Sequence, residues 1–189
     1  MRVIAGSARG RRLETMAGRA VRPTADRVKE ALFSMLISRV ALADAVVLDL
    51  FAGSGALGIE ALSRGAASVT FVEQDRATCK ILARNIERCG FTHTAAILAL
   101  PVRRGLGELA RRGARFDGAL LDPPYGRDLA AEALAVLARE ALLAPGGWAV
   151  AEHHIDDLLA DGYGPLQLTA CKRYGSTALT LYQVADSAA

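Results

Sequence analysis

The sequence predicts an α/β fold: a doubly wound, mostly parallel seven-stranded sheet with a basic β-hairpin arm at the N-terminus. From residue 45 onward, short apolar runs typical of buried strands alternate with stretches at helical spacing. Residues 166–184 hold two apolar runs around a central turn, which is typical of an antiparallel hairpin. A length of 189 residues is usual for one domain. We therefore expect a single domain, with the arm at 1–22 and the core at 23–189.

Local signals along the chain predict the individual elements. Thr24 comes just after Pro23 and is expected to cap a first helix, whose apolar stripe extends to Val40. Asp75 is expected to cap a later helix and Gly90 to end it. The expected strands lie near 45–50, 67–73, 94–100, 116–121 and 146–153, and the other helices near 57–64, 75–89, 103–112 and 128–142.

Composition and cysteine usage limit the function classes. The chain is 52% apolar but has no uninterrupted apolar stretch of membrane-spanning length, and its start lacks the apolar core of a signal peptide. Its three cysteines are an odd number without a C-x-x-C pair, which indicates free thiols in a reducing compartment. We therefore expect a cytoplasmic protein, a monomer, with no disulfide framework and no metal site.

The first 29 residues are strongly basic. They hold eight arginines and lysines against two acids, although the net charge of the whole chain is only +3. Alternation in 2–6 and 10–14 predicts two short strands around Arg9, and hence a hairpin that presents arginines; a solvated, flexible terminus is the alternative. A basic arm on a slightly acidic body is typical of nucleic-acid binding through phosphates. The expected nucleic-acid contacts are Arg2, Arg9, Arg11, Arg12 and Arg22.

A glycine-rich turn follows the first predicted strand of the sheet. Gly53, Gly55 and Gly58 fit G-x-G-x-x-G between a strand and a helix, and Glu73 falls where an acid would bind ribose hydroxyls. On these features alone, NAD is one possible ligand. Asp49 counts against NAD, because an acid at the strand end suits a ligand with an amino group. S-adenosylmethionine is such a ligand, and it needs no pyrophosphate site.

The tetrapeptide Asp-Pro-Pro-Tyr at 122–125 follows the apolar run 116–121. Asp122 and the carbonyl group of Pro123 can accept hydrogen bonds from an exocyclic amine, while the prolines fix the backbone that holds these acceptors. Tyr125 can stack on a flat base. A proline-rich turn is the alternative, but together with the glycine motif the tetrapeptide predicts an amino methyltransferase. The expected catalytic residues are Asp122, Pro123, Pro124 and Tyr125.

Four segments together resemble the 16S ribosomal RNA methyltransferase D family. They are the R-P-T-A-D-R-V-K-E-A-L-F block at 22–33, the glycine motif at 49–58, E-A-L-S-R-G-A at 60–66 and the tetrapeptide at 122–125. The resemblance covers nearly the whole chain, and the block at 22–33 is its most specific part. It implies the class I S-adenosylmethionine-dependent methyltransferase fold. It also implies methylation of a guanine N2 in 16S rRNA, guanine 966 in the usual rRNA numbering, on assembling 30S particles.

The motifs and the resemblance together give the expected cofactor site. The resemblance implies that the start of the first helix covers the cofactor. Related methyltransferases often have a polar residue after the third strand for the adenine, whereas residues 97–102 are apolar here. Adenine would then be held by backbone groups and apolar packing, unless the third strand ends at a different residue. The expected cofactor contacts are Thr24, Arg27, Asp49, Phe51, Ala52, Gly53, Ser54, Gly55, Leu57, Gly58, Glu73, Gln74, Leu100 and Asp122.

Other functions remain as alternatives at this point. A DNA adenine or cytosine amino methyltransferase shares the Asp-Pro-Pro-Tyr chemistry, but usually needs an added target-recognition region. A protein-glutamine methyltransferase usually has Asn in place of Asp122. A non-catalytic rRNA-binding assembly factor would not need the glycine motif, Glu73 and the tetrapeptide together. A NAD-dependent oxidoreductase is the least favoured alternative.

Overall fold

A computed structural model describes residues 1–15, 23–124 and 128–185 of the chain. Its helices are α1 (Pro23–Ile37), α2 (Ala56–Ser63), α3 (Arg76–Cys89), α4 (Val102–Arg111) and α5 (Leu129–Arg139). Its strands are β1 (Val46–Leu50), β2 (Ser68–Val72), β3 (Ala95–Leu98), β4 (Phe116–Leu121), β5 (Leu143–His154), β6 (Gly162–Tyr163), β7 (Leu166–Tyr174) and β8 (Thr177–Val184). None of these helices has the length and apolarity that crossing a bilayer requires.

Within the described ranges the strands form one eight-stranded sheet in the order β3-β2-β1-β4-β5-β8-β7-β6. The first five strands pair in parallel, and β8 pairs antiparallel with both β5 and β7. The doubly wound, mostly parallel architecture is therefore as predicted, but the predicted number of strands, seven, is one too few. The additional strand, β6, is two residues long and pairs with β7. So short a strand has no sequence periodicity to detect.

The register of the central strands determines what meets at the carboxyl edge of the sheet, which we call the rim. Leu50, the last residue of β1, lies opposite Val72 of β2 and Leu121 of β4. The residues that follow these three strands therefore begin side by side. The chain order reverses between β1 and β4, and a reversal of this kind creates the crevice where doubly wound sheets bind ligands.

Successive strand residues contribute to two different cores, one on each face of the sheet. Val47 belongs to the core that lies under α1, α2 and α3. Leu48, the next residue, belongs to the core under α4 and α5. Both side chains are fully buried, as expected for a parallel strand that is covered on both faces. This packing fixes the strand ends on which the rim is built.

Trp148 is a buried side chain near the start of the regular part of β5. It lies opposite Gly118 of β4, and a Cβ atom at position 118 would come within 2.1 Å of the indole ring. Glycine at that position therefore makes room for the ring. Trp148 is 2% exposed, so it is a core residue.

Most predicted boundaries differ from the structure by one to three residues, and two of the differences have a clear physical cause. The first helix begins at Pro23, because proline suits the first helical position and needs no hydrogen-bond partner there; Thr24 is therefore inside the first turn and is not the cap. β3 ends at Leu98, two residues before the predicted end, where the N–H of Leu100 bonds back to the Leu98 carbonyl group. The predicted ends of α3 are confirmed, with Asp75 as the cap and Gly90 at φ 81°.

Residues 1–15, here called the N-terminal segment, lie against α2 and α3. In place of the expected two strands, the segment has one isolated antiparallel bridge between Arg2 and Arg12, and backbone hydrogen bonds from Val3, Gly10 and Leu13 also join its two halves. Other hydrogen bonds of this segment are to α2. The buried Glu60 carboxylate accepts hydrogen bonds from the N–H groups of Ile4 and Ala5, at 2.7 and 3.0 Å. The segment is thus folded onto the body of the protein.

Candidate functional site

The loop between β1 and α2, residues 51–55, is here called the glycine loop. Phe51, Gly53 and Gly55 have positive φ angles of 61°, 55° and 84°. Gly55 is required for a second reason, because a Cβ atom there would lie 2.4 Å from the Leu82 side chain. Phe51 has a side chain and still adopts this region, and strained residues of this kind cluster at functional sites. The loop therefore presents glycine backbone at the rim.

Asp49 lies beneath the glycine loop and is 1% exposed. Its Oδ2 atom accepts a 2.9 Å hydrogen bond from the N–H of Gly58, in the first turn of α2. A Cβ atom at position 58 would come within 2.8 Å of the same oxygen and 2.3 Å of the Phe71 ring. Gly58 therefore allows the carboxyl group to satisfy a helix-start N–H group that otherwise has no partner in the helix.

The pKa of the Asp49 carboxyl group is unusually high. Its pKa is raised to about 8, chiefly by burial and to a smaller extent by the negative charges of Asp122 and Glu73, while the hydrogen bond from Gly58 opposes the rise. Glu73 and Asp122 directly follow β2 and β4, the strands on either side of β1, so the three acids belong to the same part of the rim. An acidic rim favours a cationic ligand and disfavours a pyrophosphate. It therefore fits the sulfonium and ammonium groups of S-adenosylmethionine better than it fits NAD.

Glu73 connects the end of β2 to the glycine loop. Its two carboxylate oxygens accept hydrogen bonds from the N–H groups of Gly53 and Asp75, both at 2.9 Å. A carboxylate has about four acceptor positions, so Glu73 keeps capacity for hydroxyl groups of a ligand. Gln74, the next residue, is exposed at the rim.

The predicted catalytic segment begins directly after β4. Asp122 is exposed, Pro123 is buried and Pro124 is exposed. The exposed Asp122 is thus followed directly by Pro123, which is buried and therefore held in place by the fold. Tyr125 lies outside the described residues, so its stacking role stays a prediction.

The remaining predicted cofactor residues lie on several different elements. Leu100 is half-buried just beyond β3, and Arg27 is exposed on α1. Arg22 and the side chain of Thr24 lie outside the described residues. Phe51, Ala52, Ser54 and Leu57 all belong to the glycine loop or the first turn of α2, where they were expected.

The predicted nucleic-acid contacts in the N-terminal segment lie away from the glycine loop. Arg2, Arg9, Arg11 and Arg12 all have exposed side chains. Arg11 donates a hydrogen bond to the carbonyl group of Arg88, near the end of α3. Because α2 and α3 run away from the rim, these arginines lie toward the opposite end of those helices from the glycine loop.

Asn85 is a site residue that the sequence interpretation missed. It is fully buried on α3, and its side-chain amide donates a 2.9 Å hydrogen bond to the carbonyl group of Ser54 in the glycine loop. The available signal was a polar residue within the apolar stripe of Leu82, Ile86 and Cys89. A buried amide of this kind requires hydrogen-bond partners.

This fold and rim are those of a Rossmann-like methyltransferase that uses S-adenosylmethionine, and comparison with known proteins confirms that class. A family model described as conserved hypothetical protein 95 matches residues 1–183. Ribosomal RNA small subunit methyltransferase D from Escherichia coli is 36% identical over 183 residues, which are 97% of this chain and 89% of the relative. The chain belongs to the ribosomal RNA small subunit methyltransferase D family.

Solved structures agree with this assignment. One from Escherichia coli is 35% identical, with a TM-score of 0.84 and coverage of 99% of both chains. Another, a hypothetical protein from Thermus thermophilus, is 38% identical with a TM-score of 0.81, and the match covers 96% of this chain and 98% of that protein. The predicted α/β methyltransferase fold is therefore confirmed, and membership of a methyltransferase family supports the predicted cofactor, S-adenosylmethionine.

Replacing Glu73 by Ala is expected to weaken S-adenosylmethionine binding by about tenfold or more, or about 1.4 kcal/mol for each factor of ten. The variant removes the proposed ribose acceptor and the hydrogen bond that holds Gly53. Isothermal titration of S-adenosylhomocysteine measures the change. Glu87→Ala, an exposed acid on α3, is the matched control. An unaltered dissociation constant for the Glu73 variant would contradict this role.

Proposed function

We propose that the chain methylates the exocyclic N2 of a guanine in 16S rRNA, guanine 966 in the usual rRNA numbering, on assembling 30S particles. The observation that most supports this proposal is the position of Asp122 and Pro123, which extend from β4 beside the glycine loop and Asp49. An exocyclic amine held there would lie next to a cofactor in the loop. The relative from Escherichia coli, named for the small-subunit ribosomal RNA, supports the choice of substrate.

The proposed chemistry is direct transfer to nitrogen. S-adenosylmethionine, when bound, supplies an electrophilic methyl group on a sulfonium centre. The lone pair of guanine N2 is delocalised into the ring, so the nitrogen is a weak nucleophile. Hydrogen bonds from the amine to the Asp122 carboxylate and the Pro123 carbonyl group favour a more tetrahedral nitrogen and aim its lone pair. This is catalysis by positioning and electrostatics.

Asp122 is also proposed to accept the proton that the amine releases, and Tyr125 is proposed to bind the guanine base. As the N–C bond forms, the bond between the methyl group and the sulfonium sulfur would break, with S-adenosylhomocysteine as the leaving group. The amine becomes acidic, and its proton passes to Asp122 or to water. A guanine in a folded RNA must leave its stack to reach the rim. Tyr125 would hold the displaced base by stacking, a contact worth about 1–3 kcal/mol.

The exposed arginines of the N-terminal segment are proposed to contact RNA phosphates. The double variant Arg9→Ala, Arg12→Ala is expected to weaken RNA binding and to reduce the slope of log affinity against log salt by about 1.5, since each phosphate contact contributes about 0.7–0.9. Filter binding at several salt concentrations measures both effects. Arg11→Ala, which removes a hydrogen bond at the end of α3, should mainly lower the melting temperature. Unchanged RNA affinity in the double variant would argue against this contact surface.

The proposed function is tested by identifying the methylated product. The purified protein is incubated with labelled S-adenosylmethionine and, separately, unmodified 16S rRNA, partly assembled 30S particles and DNA, and the nucleosides are then identified. N2-methylguanosine from the ribosomal substrates alone is the expected result. Methyladenine or methylcytosine in DNA would keep the amine chemistry and overturn the substrate. No transfer to any of them would indicate a different acceptor.

A further inference from the structure

Asn85 joins the N-terminal segment to the glycine loop, two parts of the molecule that are distant in sequence. Its Oδ1 atom accepts a 2.8 Å hydrogen bond from the N–H of Glu14. Its Nδ2 atom donates to the carbonyl groups of Glu14, at 3.0 Å, and Ser54, at 2.9 Å. Both N–H donors of the amide are therefore in use, and the side chain is 0% exposed. Breaking these bonds would leave buried polar groups unsatisfied, which is costly.

The bond to Ser54 holds the part of the glycine loop that leads into α2. The Ser54 carbonyl group belongs to the same peptide unit as the N–H of Gly55, and that N–H donates to the Ala52 carbonyl group at 2.8 Å. Glu73 holds Gly53 from the other side. The orientation of the loop backbone is therefore set from both ends, by Glu73 at the rim and by Asn85 within α3.

The N-terminal segment has further anchors that do not involve the loop. The Glu14 carboxylate pairs with Arg84 at 2.9 Å and with Arg88 at 2.5 Å. The Ser63 hydroxyl group accepts from the N–H of Ala8 and donates to the Ala5 carbonyl group. Across residues 1–15, 23–124 and 128–185, Asn85 is the one side chain that hydrogen-bonds to both the segment and the loop.

We propose that Asn85 is a positioning residue that couples RNA binding on the N-terminal segment to cofactor binding in the glycine loop. This inference rests on the proposed function, which assigns RNA to the arginines of the segment. A ligand that orders either the segment or the loop also orders Asn85 and the bonds it makes to the other. The second ligand then loses less conformational freedom on binding. Thermodynamic linkage requires each ligand to raise the affinity of the other by the same factor.

The coupling can be measured with S-adenosylhomocysteine and a fragment of unmodified 16S rRNA. In the wild-type protein, saturating RNA is expected to lower the dissociation constant of S-adenosylhomocysteine by about fivefold or more, within the usual range of such couplings. The reciprocal titration should give the same factor. In Asn85→Ala the factor should fall to about one. Asn85→Asp should behave alike, because a carboxylate keeps the acceptor for Glu14 but has no donor for Ser54.

Ser63→Ala is the matched control, because it loosens the N-terminal segment without touching the glycine loop. It should weaken RNA binding while keeping the coupling factor of the wild type. Hydrogen exchange at the Gly55 amide gives a second measurement, which needs only the wild-type protein. Saturating RNA should slow exchange there, although the arginines lie at the other end of the helices.

The outcomes separate this inference from the proposed function. Binding of both ligands to the wild type without coupling, and without slower exchange at Gly55, would overturn the inference alone. So would a wild-type coupling factor in a folded Asn85→Ala protein. Failure of the wild type to bind the RNA or S-adenosylhomocysteine would overturn the proposed function, and this inference with it.

Discussion

Asp122→Ala is expected to lower the turnover number by about 10²–10⁴-fold, the range typical for loss of a group that accepts a proton or stabilises developing charge. The variant loses the carboxylate that is proposed to orient the guanine amine and to receive its proton. Affinity for S-adenosylhomocysteine should stay within about threefold of the wild-type value, a difference of less than about 1 kcal/mol. Single-turnover methylation of 16S rRNA measures the loss, and isothermal titration measures the affinity.

Asp122→Asn tests which property of the carboxylate matters. Asn keeps an acceptor oxygen for the amine but cannot take a proton in the same way. Turnover should therefore fall between the wild type and the Ala variant. Loss of cofactor binding in either variant, with turnover unaffected at saturating cofactor, would place Asp122 on the cofactor and away from the amine.

Asp49→Asn is expected to stabilise the folded protein and to weaken cofactor binding. The pKa of Asp49 is raised from 3.8 in the unfolded chain to about 8 in the folded protein. Between these values the folded state keeps a proton that the unfolded state releases, so this residue makes stability fall as pH rises from about 4 to about 8. Asn cannot ionise but can still accept the hydrogen bond from Gly58. The variant should be more stable than the wild type by about 1 kcal/mol or more at pH 8, and nearly equal at pH 4.

Urea unfolding across this pH range measures the effect. Asp117→Asn is the matched control, because Asp117 also accepts a strand N–H, that of Val46, but at an exposed position. Cofactor affinity of the wild type should rise with pH through 8, as the ionised Asp49 becomes available to a cationic ligand, and the Asn variant should lose this dependence. Parallel pH profiles for the wild type and Asp49→Asn would show that Asp49 is not the source.

The convergence of Asp49, Glu73 and Asp122 could be predicted from the sequence, because the carboxyl ends of parallel strands meet at one edge. Gly53 and Gly55 could be predicted as well, since their spacing is that of a turn that approaches a ligand. The burial of Asp49 could not, because it depends on how closely α2 lies against β1. That distance is set by Gly58 and Phe71 together.

The long-range polar contacts could not be predicted from the sequence either. The partners of Asn85 are 71 and 31 residues away, and no local pattern identifies them. Arg11 illustrates the same problem for charge. A count of basic residues does not show that the exposed Arg11 side chain also bonds to a helix end.

The buried Trp148 has a practical consequence for these experiments. It is the single tryptophan of the chain, and its partner Gly118 lies toward the start of β4, away from the rim. Its fluorescence should therefore change on unfolding and stay nearly constant on ligand binding. The protein thus contains an intrinsic optical probe of its folded state, which can follow denaturation without a dye while ligands are titrated separately.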